Sequence, residues 1–213
     1  MSDKEKEKKQ ETNISRRSFL KGVGTGTVAA TVAPAILVGD AETAEAQTDG
    51  AVSTAKIQLN INEKLYEIEV EARTTLLTVL RDGIDTGGNN VDLTGAKLIC
   101  DRGECGGCTV LVDGKVVYAC MMLAMDTQGK QITTVEGIAN GDDLHPVQEA
   151  FIKHDAMMCG FCTPGFIVSS VALLNENKKP TIAEIKDGLS GNTCRCGTYP
   201  FIFDAVETAS EKM

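Results

Sequence analysis

The chain has no tryptophan, and aromatic residues make up only 4% of its 213 positions. A core drawn from it rests on Leu, Ile and Val and stays modest, so bound inorganic groups would help to hold it together. Basic residues are also short, 21 against 30 acidic, for a formal net charge of −9. The first 46 residues carry seven of each sign, so the deficit belongs to the remainder. That balance argues against nucleic-acid binding, which needs basic surface. Histidine is nearly missing: His145 and His154 are the two, and a helix start and a surface position suit them better than metal ligation. No Gly-rich dinucleotide fingerprint stands outside the first 50 residues, since Gly22-Val-Gly-Thr-Gly belongs to the opening segment. Cysteine is absent through residue 99 and then appears eight times, at 100, 105, 108, 120, 159, 162, 194 and 196.

The opening segment has the order of an address. Charged residues run to Thr12, Ser15-Arg16-Arg17-Ser18-Phe19-Leu20-Lys21 follows, and Gly22 to Gly39 is uncharged and only weakly apolar. Ala44-Glu45-Ala46 is a small-x-small cleavage site, with the cut expected before Gln47. The Arg16-Arg17 stretch resembles the twin-arginine export motif, whose route carries proteins already folded around a cofactor. The expectation is a signal peptide over 1–46, a flexible N-terminus over 47–53, a periplasmic destination and no stable membrane insertion. Retention as an anchor is the competing reading, weakened by Pro34 inside the uncharged run. An even cysteine count in an exported protein ordinarily suggests disulfides. A folded-export leader shifts the balance toward a cofactor.

Two parts follow. Ile57, Leu59 and Ile61 alternate with Lys56, Gln58 and Asn60, and Tyr66, Ile68 and Val70 alternate with Glu67, Glu69 and Glu71. This predicts a hairpin with one wet face. Thr75 to Arg81 predicts a short helix stopped at Gly83. Thr109–Val112 and Val116–Tyr118 predict a second hairpin turning at Asp113-Gly114, and 131–135 a last strand. Beyond Gly141 the period becomes helical. Val147, Ala150, Phe151 and Met158 suit one face of a helix opening at Pro146, and Ile167, Ser170, Val171 and Leu174 suit another capped by Thr163. Thr181-Ile182-Ala183-Glu184 is a capping-box pattern, and Ile202, Ala205, Val206 and Ala209 mark a final helix. The reading is α+β: a β-rich domain over 54–137, then an all-helical domain over 143–213. Cys159-Gly-Phe-Cys-Thr-Pro-Gly-Phe-Ile is echoed by Cys194-Arg-Cys-Gly-Thr-Tyr-Pro-Phe-Ile, as if two similar helix starts faced each other.

Cys100-x4-Cys105-x2-Cys108 is the plant-type [2Fe-2S] spacing. Three thiolates in nine residues require a tight loop, and Gly103, Gly106 and Gly107 permit it while letting backbone N–H groups approach the sulfurs. Cys120 closes the set at the end of the second hairpin. A structural zinc site is the alternative, but zinc does not need the glycine wrap. The second set is Cys159-x2-Cys162 and Cys194-x1-Cys196. Alone it is open between zinc and iron; beside the first set, iron is favoured.

Cys100-Asp-Arg-Gly-Glu-Cys-Gly-Gly-Cys-Thr, the single Cys120, His145-Pro-Val-Gln, Cys159-Gly-Phe-Cys-Thr-Pro-Gly and Gly191-Asn-Thr-Cys-Arg-Cys-Gly together resemble the small iron–sulfur subunit of the molybdenum hydroxylases, the xanthine oxidase family. The resemblance covers the chain from about residue 55 onward. It implies a ferredoxin-like β-grasp domain followed by a four-helix domain, two [2Fe-2S] clusters, and a C-terminal cluster near the molybdopterin of a separate large subunit. It further implies electrons relayed outward through the N-terminal cluster to an FAD-binding subunit or a c-type cytochrome. With a twin-arginine leader, the chain looks like the periplasmic aldehyde oxidoreductases. Relatives also hydroxylate N-heterocycles and purines, and a free-standing ferredoxin-like carrier would share the clusters. One position departs: Met158 stands where the family usually has a Gln that can touch the pterin.

Overall fold

Alternation of apolar and polar residues builds the first hairpin. The structure, a computed structural model, describes residues 53–213, so the leader expectations lie outside the described residues. Strands β1 (Thr54–Ile61) and β2 (Lys64–Glu71) pair antiparallel, with Ile61 opposite Lys64. Asn62 and Glu63 both hold positive φ, 50° and 64°, as a two-residue turn matched to strand twist requires. Ile57, Leu59, Ile61, Tyr66, Ile68 and Val70 are buried, and the intervening Glu67 and Glu69 face solvent.

Helix α1 (Leu76–Asp82) covers that apolar face with Leu76, Leu77, Val79 and Leu80, all buried. Thr75 caps it by accepting from the Thr78 N–H. Gly83 ends it for a steric reason rather than a left-handed one: its φ is −66°, and a Cβ there would collide with the Val79 carbonyl oxygen. Strands β3 (Thr109–Val112) and β4 (Lys115–Tyr118) turn at Asp113-Gly114, with φ of 51° and 77°. Strand β5 (Gln131–Thr133) lies parallel to β1 and antiparallel to β3, giving the mixed order β2-β1-β5-β3-β4. A mixed sheet with α1 laid across it is the β-grasp arrangement.

Strand β3 faces two cores. Val110 and Val112 join the sheet core, while Leu111, one residue out of phase, packs on Val168 and Ala172 of helix α3 (Thr163–Glu176). That helix is buried on most of its surface, which explains its weak amphipathicity. Around it stand α2 (Pro146–Lys153), α4 (Ile182–Gly188) and α5 (Tyr199–Ser210), the last through Ile202, Ala205, Val206 and Ala209. The described residues belong to a single compact unit.

Two helix expectations are corrected. Met158 is not on the α2 face: the helix ends at Lys153, Asp155 turns with φ of 48°, and Met158 is exposed. Thr163 is not the cap of α3. Cys162 occupies that position without a side-chain bond, and Thr163 is already helical. The capping box at Thr181 is present, with Thr181 Oγ1 accepting from Glu184 N and Glu184 Oε2 accepting from Thr181 N. His145 likewise caps α2, its Nδ1 accepting from Val147 N. His154 ends that helix, its Nε2 at 2.8 Å from Thr208 Oγ1.

Candidate metal centres

The loop before β3 carries the first cysteine set. Asp101 turns with φ of 53°, and Gly103 and Gly106 with 75° and 67°. Gly107 takes no such conformation. A Cβ there would meet the end of the exposed Ile99 side chain, which would have to move aside. So two of the three expected glycines serve the turn, and Asp101, which the spacing did not single out, supplies a third left-handed residue. Cys120 follows β4 in a 3₁₀ turn, Ala119–Met121, and lies buried beside the buried Cys108.

The thiols meet in pairs. Cys100 lies in side-chain contact with Cys105, and the N–H of Arg102, with those of Glu104 and Cys105, brings its pKa down to about 7. Cys108 meets Cys120, and burial pushes the Cys108 thiol up to about 12. In the second set Cys162 meets Cys194, and burial again pushes Cys162 up to about 12. Burial also opposes ionisation at Cys194, but Thr198, through its hydroxyl at 2.7 Å and its N–H, outweighs it and brings the thiol to about 7. Cys159 and Cys196 lie 3.5 Å apart at the exposed edge. The N–H of Phe161 lowers the Cys159 pKa.

Four thiols in two contacting pairs suit a two-iron cluster, in which each iron takes two thiolates. Among the described residues, no three His, Cys, Asp or Glu side chains converge as a site for a single metal ion. The second set sits where two helices begin: Cys162 caps α3, and Thr198 caps α5 while touching Cys194. Helix N-termini direct unpaired N–H groups at negative charge. The repeated Cys-pair and helix-start pattern is therefore spatial as well as sequential. Phe166 of α3 and Tyr199 of α5 close it edge to face, with ring centroids 6.0 Å apart.

The two sets are neighbours. Cys105, Cys159 and Cys162 line one cleft of about 170 Å³ together with Ile99, Phe161, Thr193 and Arg195. Lys97 reaches across, its Nζ 5.9 Å from the centre of the Phe161 ring.

Residues 134–207 match the family model described as a [2Fe-2S] binding domain. The aldehyde oxidoreductase iron–sulfur-binding subunit PaoA of Escherichia coli strain K12 is 40% identical over 223 residues, spanning 96% of this chain and 92% of that protein. The chain belongs to the iron–sulfur subunits of the molybdenum hydroxylases. The nicotine 6-hydroxylase small subunit of Paenarthrobacter nicotinovorans is 44% identical over 151 residues, 71% of this chain and 87% of that one. The structure of quinoline 2-oxidoreductase from Pseudomonas putida 86 matches with a TM-score of 0.68 at 38% identity, covering 74% of this chain and 94% of the matched one.

As an iron–sulfur subunit of a molybdenum hydroxylase, the chain carries two [2Fe-2S] clusters and transfers electrons without performing the substrate chemistry itself. Sequence reasoning missed several residues that shape this subunit's sites. Gly160 and Gly197 hold φ of 79° and 84° beside the second set, and a Gly within or just after a Cys pair was the available signal. Gly165 and Asn192 stand in the quoted cysteine segments, but their contacts, like those of Tyr118, join parts far apart in the chain and could not be read from spacing.

Proposed function

We propose that Cys100, Cys105, Cys108 and Cys120, on a domain spanning 54–137, hold one cluster, and that Cys159, Cys162, Cys194 and Cys196, on a domain spanning 143–213, hold the other. The pairwise contacts of the eight thiols carry this reading. In the same reading the thiols in contact share an iron: Cys100 with Cys105, Cys108 with Cys120, Cys159 with Cys196, and Cys162 with Cys194. Each cluster, when bound, supplies a one-electron carrier. The chain's own residues set its surroundings. N–H groups of Arg102 and Glu104 face Cys100, Thr198 faces Cys194, and Cys108, Cys120 and Cys194 are buried from water.

The edge at Cys159 is the entry side in this reading. Met157, Met158 and Phe161 are exposed around it, and a groove of about 370 Å³ lined by Leu144, Phe151, Ile152, Met157 and Ile167 adjoins them. Apolar surface beside an exposed ligand suits a large molybdopterin-binding partner. Electrons then leave from the first site toward an FAD-binding subunit or a c-type cytochrome. The complex oxidises aldehydes to carboxylic acids in the reading favoured here. An alignment covering 96% of the chain exceeds what residues 53–213 supply, so the match to PaoA continues into the leader. It also supports periplasmic export through the Arg16-Arg17 motif. The 44% identity to a nicotine hydroxylase subunit favours N-heterocycle hydroxylation as the second reading.

Purifying the natively expressed protein through a tag on this chain tests the proposal. The expected result is co-purification of a molybdenum-containing large subunit whose activity is greater on aldehydes than on N-heterocycles. A lone iron–sulfur monomer overturns the complex, and the reverse substrate order overturns the aldehyde reading.

A further inference from the structure

Asn192 sits between the two sulfur sites and is 5% exposed. Its Nδ2 donates to the Gly106 carbonyl at 2.9 Å and to Thr109 Oγ1 at 3.3 Å, and its Oδ1 accepts from Ser169 Oγ at 2.7 Å. One carboxamide thus joins the first cysteine loop, the start of β3, helix α3 and the segment entering Cys194. Glycines make room for it. A Cβ on Gly106 would lie 2.5 Å from Asn192 Nδ2, and one on Gly165 would lie 3.0 Å from the same atom and press into the Gly106 carbonyl oxygen. A side chain that must donate on one side and accept on the other, in a space closed by two glycines, leaves little besides Asn. Directly beside it, Thr193 N–H donates to the Cys105 carbonyl at 3.0 Å. The chain therefore runs from Cys105 across that hydrogen bond to Thr193 and Cys194.

We propose that Asn192 is the positioning residue for electron transfer between the two sites, because it holds Gly191–Cys194 on the Cys105–Thr109 turn and so fixes the Cys105–Thr193 hydrogen bond as the bonded path between the cysteine sets. The inference rests on the ligand assignment above. Tunnelling decays far less through covalent and hydrogen bonds than across a gap, so a fixed bond of this kind sets the rate. The step moves one electron from the reduced site at Cys194 to the oxidised site at Cys105. No bond forms or breaks and no proton moves.

The test uses the loaded subunit and its Asn192→Asp and Asn192→Ala variants, with Ser169→Ala for comparison. Aspartate sets a second oxygen against the Gly106 carbonyl and removes both donations, whereas Ser169→Ala leaves them in place. Expected for both Asn192 variants is full iron and both EPR signals. The magnetic splitting between the two reduced clusters is lost, and electron equilibration after one-electron flash reduction is slower. Ser169→Ala keeps the wild-type splitting and rate. Wild-type splitting and rate in loaded Asn192→Asp overturn the proposal. If neither Asn192 variant takes up iron, Gly165→Ala, which presses on the same carbonyl, decides by the same two readouts. Independently, the Thr193 amide of the wild-type subunit must be among the slowly exchanging amides, and rapid exchange overturns the proposal. Failure of the ligand assignment is distinguishable: it shows as the wrong EPR signal lost in Cys→Ser variants, whatever Asn192 does.

Discussion

The Tyr118 hydroxyl donates to the Gly191 carbonyl oxygen at 2.9 Å, and Gly191 has no side chain because that hydroxyl occupies the space a Cβ would need. The bond ties the end of β4, next to Cys120, to the segment that enters Cys194. Gly191→Ala should destabilise the loaded subunit by about 1–3 kcal/mol, the usual cost of overpacking. Tyr118→Phe alone should cost about 1 kcal/mol for the lost hydrogen bond. The double variant should be less destabilised than the two costs added, since removing the oxygen leaves Tyr118 Cζ, 3.3 Å away, as the next neighbour. Thermal unfolding of the four proteins measures this cycle, and simple additivity would show that the two residues do not share the strain.

The cysteine pairing gives a second expectation. Cys162→Ser should halve iron and acid-labile sulfide and remove one EPR signal, leaving the other unchanged; Cys108→Ser should remove the opposite signal. Cys108 is buried and Cys162 half-buried, and serine at either position replaces a soft ligand with a hard one. Loss of the same signal in both variants would show that the eight thiols are not divided as the contacts divide them.

Much of the local structure was legible in the sequence. Two-residue periodicity showed the first hairpin, and apolar runs about Asp113-Gly114 showed the second, because these preferences act over a few neighbours. The plant-type spacing was legible for the same reason: Cys100, Cys105 and Cys108 share one loop. What periodicity could not show was where a helix stops against a tertiary constraint. Met158 fell in phase with Phe151, yet the chain had already turned at Asp155. Thr163 had the right chemistry for a cap, yet Cys162 holds the position, its thiol against Cys194, and Thr163 is already helical. Asn192 stood in the Gly191-Asn-Thr-Cys segment, but its role was unreadable since each of its partners, Gly106, Thr109 and Ser169, lies at least 23 residues away.

Thr181 offers a local check. Its hydroxyl accepts from Glu184 N, while Glu184 Oε2 accepts from Thr181 N and Thr181 Oγ1. Thr181→Ala should cost about 1 kcal/mol, and Thr181→Ser should restore most of it. Both clusters should keep their EPR signals, because α4 carries no cysteine. Unfolding midpoints at constant iron content measure the difference, and equal stability of the alanine and wild-type proteins would remove the cap from the account.

His145 couples helix α2 to pH. Its Nδ1 accepts from Val147 N at 3.2 Å, while Gln148 Oε1 accepts from His145 N at 3.0 Å, so the cap requires a neutral ring. Burial first, and the charge of Lys178 second, hold the ring's pKa below its ordinary 6.5. A lowered folded pKa means the unfolded chain takes up the proton first. The stabilisation is therefore fully present above about pH 6.5 and is lost as pH falls through the lowered folded value. Glu149 and Glu184, whose pKa values lie below 4.5, do not titrate in that window. The unfolding midpoint of the loaded subunit should fall between about pH 7.5 and 5.5. Asparagine at this position accepts the same N–H at any pH in that range. His145→Asn should accordingly flatten the curve while leaving stability at the upper end nearly unchanged. Parallel curves for the two proteins would place the pH dependence elsewhere.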